Sequence, residues 1–134
     1  MGKQVQPGEM NAVTDYSALI DGAGINVCKL LLDDELTILW ANDNFYISSG
    51  FGKDEYQTLF HHIKAYYTGH GDEFAKIKNA FYDVLQKGER RVKVGCRRPL
   101  KDNTCAWINI DGIITGEIVD SKPVALAVYS DISD

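Results

Sequence analysis

The sequence has few cysteines: Cys28, Cys96 and Cys105 are the only three among its 134 residues. A small, odd number argues against a disulfide scaffold and favours the reducing cytoplasm as the compartment. No apolar run approaches the roughly 20 residues that are needed to span a bilayer. No basic and then apolar segment opens the chain, so we expect neither export nor membrane insertion.

Recognisable catalytic motifs are also missing. The sequence contains no Gly-x-Ser-x-Gly, no phosphate-binding loop and no His-Glu-x-x-His. Its seven tyrosines and three histidines leave one remote alternative, a small α+β isomerase or hydrolase with a cone-shaped pocket. Because no motif supports catalysis, we expect that the chain is not an enzyme and has no catalytic residue.

What the sequence does have is enough apolar material for one domain. Apolar residues make up 45% of the chain, and domains of about 100–150 residues are common.

The net charge is −5, yet residues 87–101 carry seven basic residues and one acidic residue. Within them, alternation places Arg91, Lys93 and Arg97 on one face of a predicted strand, with Arg98 and Lys101 nearby. This pattern favours an interface with an acidic helix or a second subunit over nucleic acid.

Apolar spacing predicts the elements along the chain. Residues 1–8 are predicted to be a tail, and residues 9–21 a helix that Gly22 and Gly24 end. Asp72 is the predicted N-cap of the longest helix. The predicted strands span residues 25–32, 36–41, 90–98, 105–114 and 124–132. The predicted helices span residues 45–49, 53–67 (in one or two pieces) and 72–86. A run of helices between two runs of strands indicates an α+β fold with an antiparallel sheet.

Several short motifs follow one another in the order of a known family. Leu36-Thr37-Ile38-Leu39-Trp40-Ala41-Asn42 resembles that family's second strand, which runs into an Asn. His70-Gly71-Asp72 resembles its His-Pro-Asp entry to a long helix, and Asp131-Ile132-Ser133 its closing Asp-Ile-Thr. Phe45, Gly50-Phe51 and the Arg97 to Trp107 stretch also match. Residues 25–134 together resemble a PAS domain of the kind that bacterial signalling proteins carry.

The resemblance implies an α+β, PAS-like fold: a five-stranded antiparallel sheet with helices on one face and an N-terminal flanking helix. It implies a sensor domain at residues 22–134, with residues 9–21 as a linking helix. Such a domain passes a change in ligand or redox state to an output domain, typically a histidine kinase or a cyclic-dinucleotide enzyme such as a diguanylate cyclase. We therefore expect one module of a longer protein.

We also expect a homodimer formed through the N-terminal helix and the outer face of the sheet. The acidic residues Glu9, Asp15 and Asp21 could supply charge to the basic strand. A ligand-free dimerisation scaffold of the same fold is the alternative to a ligand sensor.

If a ligand cavity exists, residues on the core face of the elements are the candidates to line it. They are Cys28, Leu30, Ile38, Trp40, Phe45, Ile77, Phe81, Val94, Leu126 and Val128. A filled core made by the same residues stays the open alternative. Asn42 is expected to bond local backbone at its strand end, and Asp131 to hold the junction to the next domain.

The cofactor is not identified by the sequence, but two are disfavoured. Haem-binding relatives place a His on the long helix, and residues 72–86 contain none. Photosensors of this fold bind flavin with a reactive Cys, whereas Cys28 lies in the first predicted strand, where that motif does not fall. We predict Cys28 and Cys96 as core residues, and His61, His62 and His70 as surface or capping residues rather than a metal site.

Overall fold

The computed structural model describes residues 20–132 of the chain. Within them lies a five-stranded antiparallel sheet with strand order β2-β1-β5-β4-β3. Helices pack against this sheet, so the predicted α+β class and strand content are confirmed. The predicted tail and all but the end of the predicted N-terminal helix lie outside the described residues.

The elements follow the predicted order. The strands are β1 (Asn26–Leu31), β2 (Thr37–Ala41), β3 (Arg91–Pro99), β4 (Cys105–Val119) and β5 (Lys122–Asp131). The helices are α1 (Asp43–Ile47), α2 (Lys53–Leu59), α3 (Ile63–Tyr66) and α4 (Gly71–Gln86). None of the helices in residues 20–132 is long and apolar enough to cross a membrane.

Residues 20–22 are helical, and the predicted stop at Gly24 is confirmed. The Gly24 N–H donates to Asp21 O at 3.1 Å, and the Ile25 N–H donates to Ile20 O at 3.0 Å. This pair of bonds is a Schellman motif, which requires a left-handed residue. Gly24 supplies it with a φ of 72°.

The predicted helix over residues 53–67 is divided into α2 and α3. The Ile38 N–H donates to His61 O at 3.1 Å, and Thr37 forms an isolated bridge with His62. The chain between the helices is therefore extended, because it pairs with the outer edge of β2.

Two local predictions, a helix cap and a turn, are wrong. Asp72 does not cap α4: the N-cap is His70, and Asp72 lies in the first turn. The turn expected at residues 117–122 is only Asp120-Ser121, because β4 continues past an irregularity between Ile114 and Ile118. Both turn residues have positive φ, as in a type I′ hairpin, but without the Asn-Gly sequence that signals one.

Trp40 lies on the opposite face from the one that alternation predicts. A register shift between Lys29 and Leu30 places Ile38 opposite Leu30 but Trp40 opposite Lys29. Directly paired residues share a face of the sheet. Ile38 therefore faces the core, whereas Trp40 faces outward and is 45% exposed.

Leu126 and Val128 are also on the outer face. They pair with Lys29 and Val27, whereas the inward Cys28 pairs with Ala127. The core face of β5 is instead formed by Ala125, Ala127 and Tyr129, all buried. Because β5 carries apolar residues on both faces, an alternation of apolar and polar residues is lacking, and the sequence does not show which face points to the core.

Candidate ligand-binding interior

Half of the predicted cavity residues meet in the space between the sheet and the helices. The fully buried ones are Cys28, Leu30, Phe45, Ile77 and Phe81. Two more, Ile38 and Val94, are partly buried and pack against them. These residues bring together β1, α1, α4 and β3 in one interior.

Trp40, Leu126 and Val128 are not part of this interior. Trp40 lines a surface groove of about 540 Å³ beside the edge strand β2, where Lys53 and His61 contribute polar groups. Ile38 borders the same groove from its inner side. Leu126 is 37% exposed on the outer face of the sheet.

The side chain of Arg98 lies inside the molecule. It is 3% exposed, and its Nη1 donates to Ser48 Oγ at 2.7 Å and its Nη2 to Phe45 O at 2.8 Å. The centre of the guanidinium lies 4.9 Å from the ring centroid of Phe45, 5.3 Å from that of Tyr129 and 5.6 Å from that of Tyr66. Three aromatic rings therefore stabilise the buried charge by cation–π contact.

Aromatic side chains extend this shell. Tyr56 stacks on Tyr66 with centroids 5.2 Å apart, and Phe45 meets Tyr129 edge-on at 5.1 Å. The Tyr66 hydroxyl donates to Pro99 O. The buried hydroxyls of Tyr67 and Tyr129 have no oxygen or nitrogen partner, and the Tyr67 hydroxyl has only the weakly accepting Cys96 thiol beside it. Interiors seldom leave polar atoms unpaired, so these two hydroxyls set the region apart from an ordinary core.

The two buried thiols belong to the same interior. Burial raises the pKa of Cys28 to about 12, against the opposing charge of Arg98, and the pKa of Cys96 to about 11. Both thiols are therefore protonated at neutral pH, and protonated thiols are poor nucleophiles and metal ligands. They line the interior as small, weakly polar groups, while Cys105 is exposed and free.

The sequence reasoning missed Arg98, Tyr67 and Tyr129 as site residues. The alternation that places Arg91, Lys93 and Arg97 outward leaves Arg98 on the other face, which it shares with Val92 and Cys96. Strict alternation along β3 was therefore the signal that could have placed it inside. The basic residues Arg91, Lys93 and Arg97 do lie on the exposed face, as predicted.

Asn42 bonds the backbone at its strand end, as expected, and also reaches further. Its Oδ1 accepts from the N–H groups of Val27 and Phe45, at 2.8 and 3.3 Å. Its Nδ2 donates to Ile25 O at 2.7 Å and to the Asp21 carboxylate at 2.8 Å. Asn42 thus joins the end of the N-terminal helix to β1 and α1.

His62 is a capping residue, as predicted. Its Nδ1 accepts from the Ala65 N–H at 3.1 Å, and its Nε2 lies 3.2 Å from a carboxylate oxygen of Glu35. The side chains of His61 and His70 are exposed. Within residues 20–132, no three His, Cys, Asp or Glu side chains are grouped as metal ligands.

No family model matches the sequence, and no curated protein sequence matches it either. Solved structures do. The PAS domain of an HTR-like protein from Haloarcula marismortui aligns with a TM-score of 0.64 at 15% identity, over 92% of this chain and 93% of that one. A sensory box histidine kinase/response regulator from Burkholderia thailandensis E264 aligns with a TM-score of 0.64 at 16% identity, over 89% and 85%.

A PAS domain of a protein from Colwellia psychrerythraea aligns equally well. Its TM-score is 0.63 at 15% identity, over 90% of this chain and 97% of that one. Identities this low establish the fold and nothing finer. The chain has the PAS fold.

Proposed function

We propose that this chain, which has the PAS fold, is the sensory domain of a cytoplasmic signalling protein. A small ligand binds between the sheet and the helices and changes their packing, and the domain itself is not catalytic. The observation that carries this proposal is the polar content of the interior: the buried cation of Arg98 and the unpartnered hydroxyls of Tyr67 and Tyr129. A core that only supported the fold would gain more from apolar side chains at these positions.

The interior is linked to the N-terminal helix by a short series of hydrogen bonds. Arg98 donates to Phe45 O, the Phe45 N–H donates to Asn42 Oδ1, and Asn42 Nδ2 donates to Asp21. A ligand that repositioned Arg98 would act on α1 and, through Asn42, on the end of that helix. This route supports residues 9–21 as a linking helix ahead of a sensor domain at residues 22–134.

The interior also lies close to the C-terminal end of the sheet. Tyr129 is buried in it, and Asp131 ends the same strand two residues later. The Ile132 N–H donates to Trp107 O at 2.8 Å, so the end of β5 is fixed to β4. We propose that Asp131 holds the junction to an output domain, of the histidine kinase or cyclic-dinucleotide type.

A thermal-shift screen of the purified chain against metabolites of differing charge tests the proposal. A ligand at 100 times its Kd stabilises the folded state by about 2.7 kcal/mol, which raises the Tm by several degrees. We expect a saturable rise in Tm with at least one compound. If no compound in a broad panel produces one, the sensor function is wrong.

A ligand-free dimerisation scaffold is the second candidate, and one observation favours it. Trp40, Lys29, Leu126, Ile113 and Arg91 form one transverse row of directly paired residues on the outer face of the sheet. Its apolar members are 37–45% exposed. The predicted helix over residues 9–21 complements this row in polarity and charge, and we propose that the two meet in a homodimer.

A further inference from the structure

The guanidinium of Arg98 has no anionic partner among residues 20–132. These residues form nine ion pairs, and none of the nine includes Arg98. Removing a charge from water is costly unless an opposite charge accompanies it. The aromatic rings around Arg98 offset part of that cost, but they do not neutralise the charge.

The guanidinium also has donors to spare. It carries five N–H groups in a fixed fork, and the bonds to Ser48 Oγ and Phe45 O occupy one each on Nη1 and Nη2. These two bonds and the three rings hold the side chain in place without a ligand. The fork is therefore preorganised, so an incoming anion would not have to order it.

Two further donors are buried in the same interior. The Tyr67 and Tyr129 side chains are 2% and 3% exposed, and neither hydroxyl is hydrogen-bonded to an oxygen or nitrogen. The guanidinium of Arg98 lies 5.3 Å from the Tyr129 ring centroid. Burial raises the pKa of both phenols, and the charge of Arg98 opposes that rise. An oxyanion would complement these groups, because it would pair with the charge of Arg98 and accept hydrogen bonds from the two hydroxyls.

One of these groups, Tyr67, borders a recess on the surface. It has a volume of about 480 Å³, lies between α3 and α4, and is lined by Tyr67 and Phe74. Tyr67 therefore separates the recess from the interior. The Tyr67 hydroxyl itself is shielded from solvent, on the buried side of this boundary.

We propose that the interior binds a small organic carboxylate, with Arg98 as its cationic partner and the hydroxyls of Tyr67 and Tyr129 as additional donors. This inference rests on the proposed sensor function and specifies the chemical class of its ligand. A neutral ligand would leave the charge of Arg98 unpaired, and a cationic one would be repelled by it.

The test compares carboxylates with their amides, which have nearly the same shape but no charge. Binding of acetate, propionate and benzoate to the full chain is measured by calorimetry and thermal shift beside acetamide, propionamide and benzamide, at constant ionic strength. We expect saturable binding of at least one carboxylate, with an affinity at least about tenfold above that of its amide. Inorganic phosphate is the control for a site that accepts any anion.

The variants Tyr67→Phe and Tyr129→Phe each remove one hydroxyl and are expected to leave the protein folded, so a loss of binding can be separated from a loss of folding. Because neither hydroxyl has an oxygen or nitrogen partner in the unliganded protein, we expect their removal to change the Tm of the free protein little. Each variant should weaken carboxylate binding about tenfold or more, the value of a hydrogen bond to a charged acceptor. Arg98→Met should abolish binding, and Arg91→Met, an exposed arginine on the same strand, should not change it.

The results separate the two proposals. Amides that bind as tightly as carboxylates, or Phe variants that bind carboxylates normally, overturn the carboxylate site and leave the sensor function standing. Binding of phosphate alone overturns the organic ligand. If none of the carboxylates binds, the inference fails, and the broader metabolite screen decides the sensor function separately.

Discussion

The side chain of Asn42 connects three parts of this molecule: the N-terminal helix, β1 and α1. A single carboxamide caps α1, pairs with the backbone of β1 and holds the Asp21 carboxylate. Its exposed fraction is 3%, so water cannot replace these bonds when the side chain is removed. The sequence predicted its bonds to local backbone, but the partner 21 residues earlier depends on the fold.

Replacing Asn42 by Ala is expected to lower the free energy of unfolding by about 2–3 kcal/mol, from a lost helix cap and several lost buried hydrogen bonds. Urea denaturation measures the change. Asn79→Ala is the matched control, because Asn79 is exposed on α4 and its replacement should leave stability nearly unchanged or raise it. Equal stability of the two variants would contradict the structural role of Asn42.

Glu73 gives a pH-dependent prediction. Burial by itself raises the pKa of this carboxyl, but the Arg97 N–H at 2.6 Å and Lys76 Nζ at 3.0 Å outweigh that effect, and the pKa is lowered. A carboxyl whose pKa falls on folding stabilises the native state above its unfolded pKa of about 4.3. That contribution is lost as the pH falls through the lower native pKa.

Glu73→Gln should therefore cost about 1–3 kcal/mol at pH 7, and much less below about pH 4. Denaturation curves at several pH values measure the difference from the wild type. Asp72→Asn, on the exposed side of the same turn, is the control and should show a smaller change. A penalty for Glu73→Gln that stays constant down to pH 3 would show that its charge is unimportant.

Among the elements, α4 and the sheet approach each other closely at Gly112. A Cβ added there would lie 2.9 Å from Phe81 Cε1 and 3.3 Å from Leu126 O. Phe81 is fully buried, so its ring has little room to move away. The close approach of helix to strand at this point therefore requires glycine.

Gly112→Ala is expected to lower the free energy of unfolding by about 1–3 kcal/mol through overpacking. Gly95→Ala, on the neighbouring strand, is the control, since its added Cβ would meet Asn109 Oδ1 only at an ordinary 3.6 Å. The control should be neutral or slightly stabilising, because Ala restricts the unfolded chain more than Gly does. If thermal unfolding finds the two variants alike, the packing of Phe81 on Gly112 is not as described.

Hydrophobic spacing was sufficient to predict the order of the described elements, but not every face. Alternation depends on uninterrupted pairing, and the register shift beside Leu30 reversed the assignment of Trp40. On β5 both faces are apolar, so the sequence could not show that Tyr129 faces inward and Val128 outward. Arg98 was predictable from parity alone, but a buried charge without a charged partner contradicts the usual expectation for arginine.

For the assembly of the molecule, we propose that the outer face of the sheet contacts a second copy. Leu126 and Ile113 pair directly at its centre, with Lys29 and Arg91 in the same row. The acidic residues predicted along helix 9–21 complement this basic margin. The helix itself lies outside the described residues, so the dimer is a proposal.

The variant Leu126→Glu should weaken this dimer at least about tenfold, because it places a charge at the centre of an apolar contact. Light scattering after size exclusion should give twice 14.9 kDa for the wild type and a lower mass for the variant at the same concentration. Lys122→Glu, at the exposed start of the same strand, controls for the added charge. A wild-type chain that elutes as a monomer throughout would contradict the dimer.

We propose that a small ligand binds between the sheet and the helices. Heteronuclear NMR of the full chain, titrated with the compound that gives the largest thermal shift, tests this binding site. We expect saturable shift changes in Phe81, Arg98 and Tyr129 that extend along β5 to Asp131. Changes confined to the surface groove beside Trp40, with the interior resonances unmoved, would contradict it.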